Sequence, residues 1–183
     1  MAYALNKTKF LNDKEREYIE TRLSNYLNNP NAKEYRDALL ISLALRTGGR
    51  AQEILNIKKS DLNAQDSSVF IKGLKNSNDR EIPLEESYFQ KLNVFAQEMK
   101  DDEQIFKITY IRFYQIWKDY RPCNKGIHSL RHTFALNLYK KTKDIRIVQQ
   151  ALGHRSLNST LIYQSYQYTI SELRKAINQT EAA

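Results

Sequence analysis

The stretch TGGRAQEILNIKKSDL, residues 47–62, decides most of the fold prediction for this sequence. It follows residues 35–46, a run that is apolar nearly all round a helix, which predicts a helix buried at the centre of the protein. The glycine pair at 48–49 suits a left-handed stop of that helix, and Arg50 then begins a short second helix, RAQEILNI. An arginine directly after such a turn projects from a backbone that a ligand can approach closely.

Glu53 lies three residues after Arg50 on the same predicted helix. At that spacing the carboxylate can accept a hydrogen bond from Arg50 and orient it toward a ligand. An ordinary helical ion pair explains the same spacing equally well. The two residues by themselves therefore leave both interpretations open.

The segments outside this stretch predict a mainly α-helical α+β domain with one small antiparallel β-sheet. Short β-type runs, SSVFIKG and REIPL, joined by LKNSND, predict a hairpin within residues 62–83. Helical spacing predicts further helices at residues 13–28, 85–99, 110–120, 128–141, 144–152, 156–166 and 169–179.

Two of these predicted helices carry patterns that indicate their buried faces. On the 128–141 helix we expect Leu130, Phe134 and Leu138 to point inward. The 110–120 helix carries an aromatic stripe, which is more typical of a core than of a base-stacking surface. The residues of this stripe are Tyr110, Phe113, Tyr114, Trp117 and Tyr120.

The positive charge of the chain is concentrated in one region. The 183 residues carry a formal net charge of +8. Residues 107–155 contain eleven Lys or Arg against two acidic residues, Asp119 and Asp144, so nearly all the excess lies there. A concentrated basic surface favours a polyanionic partner, and nucleic acid is preferred over an anionic membrane surface.

The sequence contains neither an apolar run approaching the roughly 20 residues that span a bilayer nor a signal peptide at MAYALNKTKF. Its single cysteine, Cys123, excludes an internal disulfide and a cysteine-based metal cluster, which agrees with a reducing compartment. We therefore expect a cytoplasmic protein, associated with the nucleoid and without a membrane partner.

The segment HSLRH places His128 and Arg131 three residues apart on one helical face, where two donors can hold one phosphate. Solvated surface positions are the alternative. His128 and His132 have a spacing that zinc sites use, but the acid of a metalloprotease motif and a third ligand are not evident, so we predict no metal. His154 follows a predicted helix stop, where a capping or surface role is the alternative.

Most of the twelve tyrosines are explained by packing or by an interface. Tyr163 differs by context. It lies nine residues beyond His154, on a predicted helix next to the most basic region. Its hydroxyl can therefore meet a phosphate that is bound there.

Together these segments resemble the tyrosine recombinase, or phage integrase, family over roughly residues 10–175. TGGRAQEILNIKKSDL resembles the family's first conserved box, HSLRHTFA the second and ALGHRSLNSTLIY the third, in the family's order. The resemblance implies the catalytic fold of that family and a set of catalytic residues with one supporting acid: Arg50, Glu53 (supporting), His128, Arg131, His154 and Tyr163.

The hairpin between the first two boxes supplies the lysine that the family uses as a general acid. VFIKGLKNSNDREIPL contains two candidates, Lys72 and Lys75. Counting back from Arg80 and Pro83, which end such hairpins, favours Lys75. Lys72 is the alternative.

The implied reaction is site-specific cutting and rejoining of double-stranded DNA through a 3′-phosphotyrosyl intermediate, with no metal or other cofactor. The implied partners are further copies of the chain, as a tetramer on DNA, and a DNA-bending accessory protein. The final segment TISELRKAIN predicts an amphipathic helix that docks on a neighbouring subunit through Ile170, Leu173 and Ile177.

We expect residues 1–183 to form one catalytic domain without the amino-terminal core-binding domain that most of the family carries. A type IB topoisomerase, which uses the same nucleophile and arginines but swivels DNA, is one alternative. The short extension after Tyr163 favours recombination over that activity. A DNA-binding accessory protein without turnover is the second alternative, and the complete set of expected catalytic residues argues against it.

Overall fold

The computed structural model describes residues 5–74, 77–166, 170, 173–174 and 177–178 of the chain. The helices are α1 (Asp13–Leu27), α2 (Tyr35–Thr47), α3 (Ala51–Leu55), α4 (Glu86–Ala96), α5 (Tyr110–Tyr120), α6 (His128–Thr142) and α7 (Ile145–Leu152). The strands are β1 (Leu62–Asn63), β2 (Ser68–Ile71) and β3 (Arg80–Pro83). The predicted class, mainly helical with one small antiparallel sheet, is confirmed. None of the helices in the described part of the chain has the length and apolar content required to cross a membrane.

Helix α2 lies at the centre of the fold, as its apolar sequence predicts. Each residue from 38 to 45 is buried, and the helix packs between α1 and α6. It ends at Gly48, whose φ of 61° is left-handed and whose N–H donates to the carbonyl of Ala44. A Cβ on Gly48 would lie 2.3 Å from the ring of Phe134, so glycine is required both by conformation and by space.

The sheet is antiparallel in the order β1-β2-β3, with Val69 opposite Ile82 and Ile71 opposite Arg80. The hairpin prediction is confirmed for β2 and β3, and the structure adds the two-residue strand β1 at its edge. Because Val69, Ile71 and Ile82 are buried, this face of the sheet packs against the helical core. The loop of the hairpin follows Ile71 at the end of β2 and returns to β3 at Arg80, and residues 72–74 and 77–79 of it are described.

The buried apolar residues form two clusters. The main cluster surrounds α2 and includes Phe113, Trp117 and Tyr120 of the aromatic stripe, as predicted. Tyr114 packs partly against this cluster, whereas Tyr110 is 45% exposed, contrary to the prediction. Tyr110 is the first residue of α5 and lies at the helix end.

The second, smaller cluster joins α6 and α7 to both ends of the described chain. Its buried members are Leu5, Phe10, Ala135, Leu136, Val148, Leu152 and Tyr163. Phe134 and Leu138 pack partly buried against it, whereas Leu130 belongs to the main cluster. Helix α6 therefore contacts both clusters. Its three predicted inward residues do not all face one cluster.

The predicted helix at residues 156–166 is wrong. Two short 3-10 turns take its place, Leu157–Ser159 and Leu161–Tyr163. Ser, Asn and Thr in this segment offer side-chain hydrogen bonds that compete with an α-helix, and the Thr160 hydroxyl bonds to the ring of His154. The predicted helix at 169–179 falls mostly outside the described residues. Within it, residues 170, 173–174 and 177–178 have helical backbone.

Candidate active site

The centre of the site is Glu53, a carboxylate on α3 whose side chain is fully buried. Arg50 is the N-cap of α3. Its backbone N–H donates to Glu53 Oε2 at 2.9 Å, and its guanidinium Nη1 donates to Oε1 at 3.0 Å. The side chain of Arg50 remains 31% exposed, so it can still contact a ligand. This arrangement supports the predicted orientation of Arg50 by Glu53.

Arg80 also binds Glu53. From the sequence, Arg80 served only as a reference point for choosing between Lys72 and Lys75. Its Nη2 donates to Glu53 Oε2 at 2.7 Å, and its Nε donates to the carbonyl of Ala151 at 2.9 Å. Only 3% of this side chain is exposed. Arg80 therefore ties the first box to the end of α7 from inside the protein. The signal that could have found it is an arginine on the apolar face of a strand, opposite Ile71 and two residues before Ile82.

Arg131 on α6 completes a group that we call the Glu53 cluster: Glu53, Arg50, Arg80 and Arg131. The Nη1 of Arg131 donates to the carbonyl of Gly48 at 2.6 Å, and its Nη2 donates to the carbonyl of Leu152 at 2.9 Å. Nη1 also lies 3.9 Å from Glu53 Oε2. Arg131 thus joins the ends of α2 and α7 at the site.

The charges of this cluster contribute to shifted pKa values of Glu53 and Arg131. Burial alone would raise the pKa of Glu53, but hydrogen bonds from Arg80 and from the Arg50 backbone, with the charges of Arg80 and Arg131, lower it to about 2. Burial and the charges of Arg50 and Arg80 lower the pKa of Arg131 to about 10. Three guanidinium groups thus share one carboxylate, and the cluster carries an excess of positive charge.

His128 and His154 lie beside these arginines. His128, on the first turn of α6, is exposed as a residue, but neighbouring groups partly desolvate its ring. This desolvation, followed by the charges of Arg131 and Arg50, lowers its pKa. Burial, followed by the charges of Arg131, Arg50 and Arg80, lowers the pKa of His154 to about 4. The Nδ1 of His154 lies 2.9 Å from the hydroxyl of Thr160. Both rings are therefore neutral at neutral pH and can offer hydrogen bonds to an anion.

The hairpin loop is fastened to the turn that precedes His154. Gly153 ends α7 with a φ of 68°, and its carbonyl accepts from the N–H of Asn78 at 2.8 Å. Ser77 pairs with His154 in an isolated β-bridge. The loop that carries Lys75 is thus anchored at the site. Lys75 itself lies outside the described residues, and Lys72, the alternative, is exposed.

A surface cavity of about 370 Å³ lies against the Glu53 cluster. Arg50 and His154 line it, with the exposed residues Arg155, Ser156 and Ser159. Cationic and hydroxyl groups around a concave surface suit a phosphate group, since each of them can donate to its oxygens.

Tyr163 occupies a different environment from the other predicted site residues. Its side chain is 1% exposed and belongs to the second apolar cluster. The phenolic oxygen lies 3.1 Å from Nδ1 of His132, a residue that the sequence argument considered only for zinc. A charge on Tyr163 raises the pKa of Arg131, so the two side chains are close enough to interact electrostatically. The structure thus gathers the described site residues in one region, with the tyrosine hydroxyl withdrawn from the surface.

Comparison with known proteins supports the assignment of this site to a family. The sequence model of the phage integrase family matches residues 16–169. The tyrosine recombinase XerA of Pyrococcus horikoshii is 29% identical over 163 residues, which cover 82% of this chain and 56% of that protein. The chain spans about half the length of the curated relatives it matches, with 54% covered in XerA of Pyrococcus furiosus.

Solved structures share the fold. A XerH site-specific recombinase bound to difH substrate, in a pre-cleavage complex, aligns with a TM-score of 0.69 and 28% identity, over 97% of this chain and 55% of that chain. The catalytic domain of bacteriophage HP1 integrase aligns with a TM-score of 0.62 and 21% identity, over 92% of this chain and 93% of that domain. The chain therefore belongs to the phage integrase family, which includes the tyrosine recombinases, and has the fold of its catalytic domain.

Proposed function

We propose that this chain catalyses site-specific cutting and rejoining of double-stranded DNA through a 3′-phosphotyrosyl intermediate on Tyr163. The observation that carries the proposal is the cavity lined by Arg50 and His154, backed by a buried carboxylate that holds three arginines. Phosphoryl transfer depends mainly on positioning and on neutralising charge at phosphorus, and this arrangement supplies both.

Each residue has a role that follows from its chemistry. Arg50 and Arg131 bind the non-bridging oxygens of the scissile phosphate, where negative charge accumulates in the transition state. His128 and His154 donate further hydrogen bonds and handle the tyrosine proton. Glu53 orients Arg50, as its two hydrogen bonds support.

The bond changes balance without an added reagent. The Tyr163 oxygen attacks phosphorus and loses its proton, while the bond from phosphorus to the 5′ oxygen breaks. Lys75 protonates the leaving 5′ oxygen, and Lys72 is the alternative donor. In the second half of the reaction a 5′-hydroxyl attacks phosphorus and gives its proton to the same lysine, while the bond from phosphorus to the Tyr163 oxygen breaks and a histidine returns the proton to that oxygen.

The proposed partners are double-stranded DNA, further copies of the chain assembled as a tetramer on it, and a DNA-bending protein. The solved XerH site-specific recombinase is bound to difH substrate, and the basic excess in residues 107–155 of this chain favours DNA as the partner here. We place the reaction in the cytoplasm, on nucleoid DNA.

The nucleophile is tested with nicked duplexes that tile the DNA flanking the gene, followed by denaturing gel analysis for a covalent adduct. We expect the wild-type chain to form an adduct that Tyr163→Phe abolishes while DNA binding is retained. Tyr166→Phe is the matched control and keeps the adduct. An adduct that persists in Tyr163→Phe would contradict the assignment. Relaxation of supercoiled plasmid without any exchange of strands would favour the topoisomerase alternative.

The general acid is tested with a substrate in which sulfur replaces the 5′ bridging oxygen, because a thiolate leaves without protonation. This substrate should restore cleavage by Lys75→Ala and should have no selective effect on Lys72→Ala. If Lys72→Ala is the variant that is restored, the roles of the two lysines are exchanged.

Assembly is tested by deleting the residues after 168. Single-strand cleavage should persist and recombination should fail, because Ile170, Leu173 and Ile177 are proposed to contact a neighbouring subunit. Analytical ultracentrifugation on site DNA measures whether multimers are lost. Loss of cooperative unfolding in the truncated chain would instead indicate that the segment packs within its own subunit.

A further inference from the structure

His132 contacts the proposed nucleophile, yet the mechanism above gives it no role. It lies on α6, one residue after Arg131 and four after His128. Its Nδ1 is 3.1 Å from the hydroxyl of Tyr163, and the two rings are 6.0 Å apart between centroids. Burial, and then the charges of His128, Arg131 and Lys9, lower the pKa of His132 to about 4. At neutral pH the imidazole is therefore neutral, and with its proton on Nε2 it accepts from the phenol.

Tyr163 is buried in the second apolar cluster. The members of that cluster from α6 and α7 are Ala135, Leu136, Val148 and Leu152. At 1% exposure, the side chain cannot meet a phosphate on DNA unless it first leaves this environment.

The segment at residues 5–11 also packs against this region. Leu5 and Phe10 belong to the Tyr163 cluster, and the ring of Phe10 meets that of Tyr166 edge to face at 5.6 Å. The backbone N–H of Leu11 donates to the hydroxyl of Thr133 at 2.8 Å, which fastens the segment to α6 beside His132. Tyr163 thus has a polar contact with His132 and shares its apolar cluster with residues from the amino-terminal segment.

We propose that His132 is a positioning residue for Tyr163, whose hydroxyl it holds in a buried resting position until the tyrosine is released to attack DNA. The inference rests on the proposed role of Tyr163 as the nucleophile. The hydrogen bond to His132 favours the buried position over the exposed one, so its removal shifts the population toward exposed tyrosine.

The test measures exposure of Tyr163 in the protein without DNA. N-acetylimidazole acetylates accessible tyrosine hydroxyl groups, and mass spectrometry of the peptide that contains Tyr163 gives the rate at this position. His132→Phe fills the site but cannot accept the bond, and we expect labelling of Tyr163 about tenfold faster than in the wild type. A factor of ten corresponds to about 1.4 kcal/mol between the two positions. His132→Asn, whose amide can occupy the place of Nδ1, is the matched control and should label at nearly the wild-type rate.

Equal labelling in wild type and His132→Phe would overturn the proposal. Because that variant can fail to fold, a second measurement uses the native histidine. The ¹⁵N chemical shift of Nδ1 in His132 should change in Tyr163→Phe and stay unchanged in Tyr166→Phe. An unchanged shift in Tyr163→Phe would also overturn the proposal.

The DNA cleavage assay separates this inference from the proposed function. His132→Phe should still form the covalent adduct, since the released hydroxyl retains its chemistry. If His132→Phe labels at the wild-type rate but forms no adduct, His132 acts in the chemical step and does not hold the resting position of Tyr163. Faster labelling of Tyr163 in His132→Phe, together with no adduct from the wild-type chain, would contradict the proposed function. It would still support the buried resting position of Tyr163.

Discussion

The Glu53 cluster and the segment at residues 156–166, which we call the Tyr163 segment, belong to one site but are held by different forces. In the cluster, one buried carboxylate, three guanidinium groups and the carbonyls at the ends of α2 and α7 form a connected network. The Tyr163 segment contains two 3-10 turns, and the second of them contributes Ile162 and Tyr163 to the small apolar cluster.

This difference assigns different physical support to the two proposed roles, binding of the phosphate and attack by the tyrosine. The proposed phosphate ligands are oriented in advance by strong charge-assisted bonds, which favours transition-state stabilisation. Tyr163, the proposed nucleophile, is held by apolar packing and by a bond to His132, which are weaker individually and can be exchanged for a second position. One small domain thus combines a rigid, charged cluster with a neighbouring segment that is held more weakly.

The largest expected effect comes from breaking the Glu53 cluster. Glu53→Gln leaves three guanidinium groups around a neutral amide, and unpaired buried charges typically cost about 3–5 kcal/mol. Urea unfolding at neutral pH should show a loss of that order. Glu98→Gln, on the exposed surface, is the matched control and should unfold like the wild type. A loss in Glu53→Gln no greater than in this control would mean that the network does not stabilise the fold.

A second prediction concerns acid, because each region has a histidine beside it: His154 lies near the arginines of the Glu53 cluster and His132 contacts Tyr163. The pKa of His154 and that of His132 are lowered to about 4 in the folded chain, from an ordinary 6.5. Between these values the unfolded chain binds more protons, so stability falls as pH drops from about 6.5 toward 4. His154→Asn should reduce that fall by on the order of 3 kcal/mol in urea titrations across this range. If the unfolding free energy of His154→Asn falls with pH as much as that of the wild type, the lowered pKa of His154 does not cause the acid sensitivity.

A third prediction concerns Gly153, which ends α7 and accepts a hydrogen bond from Asn78 of the hairpin loop. A Cβ there would lie 2.6 Å from the carbonyl oxygen of Asn78, at a φ of 68° that other residues adopt at a cost. Gly153→Ala should lose about 2 kcal/mol of unfolding free energy, from the left-handed conformation and the displaced hairpin loop. Gly126→Ala is the control, because no atom lies within 4 Å of its new Cβ. Equal stability of the two variants would show that the loop moves away without cost.

The smallest effect is expected in the Tyr163 segment. Tyr163→Phe keeps the ring in its apolar cluster and removes the hydroxyl that meets His132, so the loss should be about 1 kcal/mol in urea unfolding. A loss as large as that of Glu53→Gln would mean that the tyrosine is part of the rigid network, and the contrast between the two regions would disappear.

Much of the fold was predictable, because its helices and turns follow from local patterns of apolar residues and glycines. The apolar run of α2 predicts its central burial, and the glycines at 48 and 153 predict the turns that place Arg50 and His154. The spacing of Arg50 and Glu53 predicts their contact, since residues three apart on a helix are neighbours. The helix predicted at residues 156–166 failed because hydroxyl and amide side chains can satisfy the backbone in tight turns.

The sequence by itself determined which residue types are present to hold a phosphate and in what order along the chain. Only the tertiary structure decided that Arg80 shares Glu53 across 27 positions, and that His132 meets Tyr163 across 31. Neither contact follows from helical or strand periodicity, because both depend on how separate elements pack. The burial of Tyr163 follows for the same reason, since its apolar environment is built from α6, α7 and residues 5–10, which are distant in sequence and adjacent only in the folded chain.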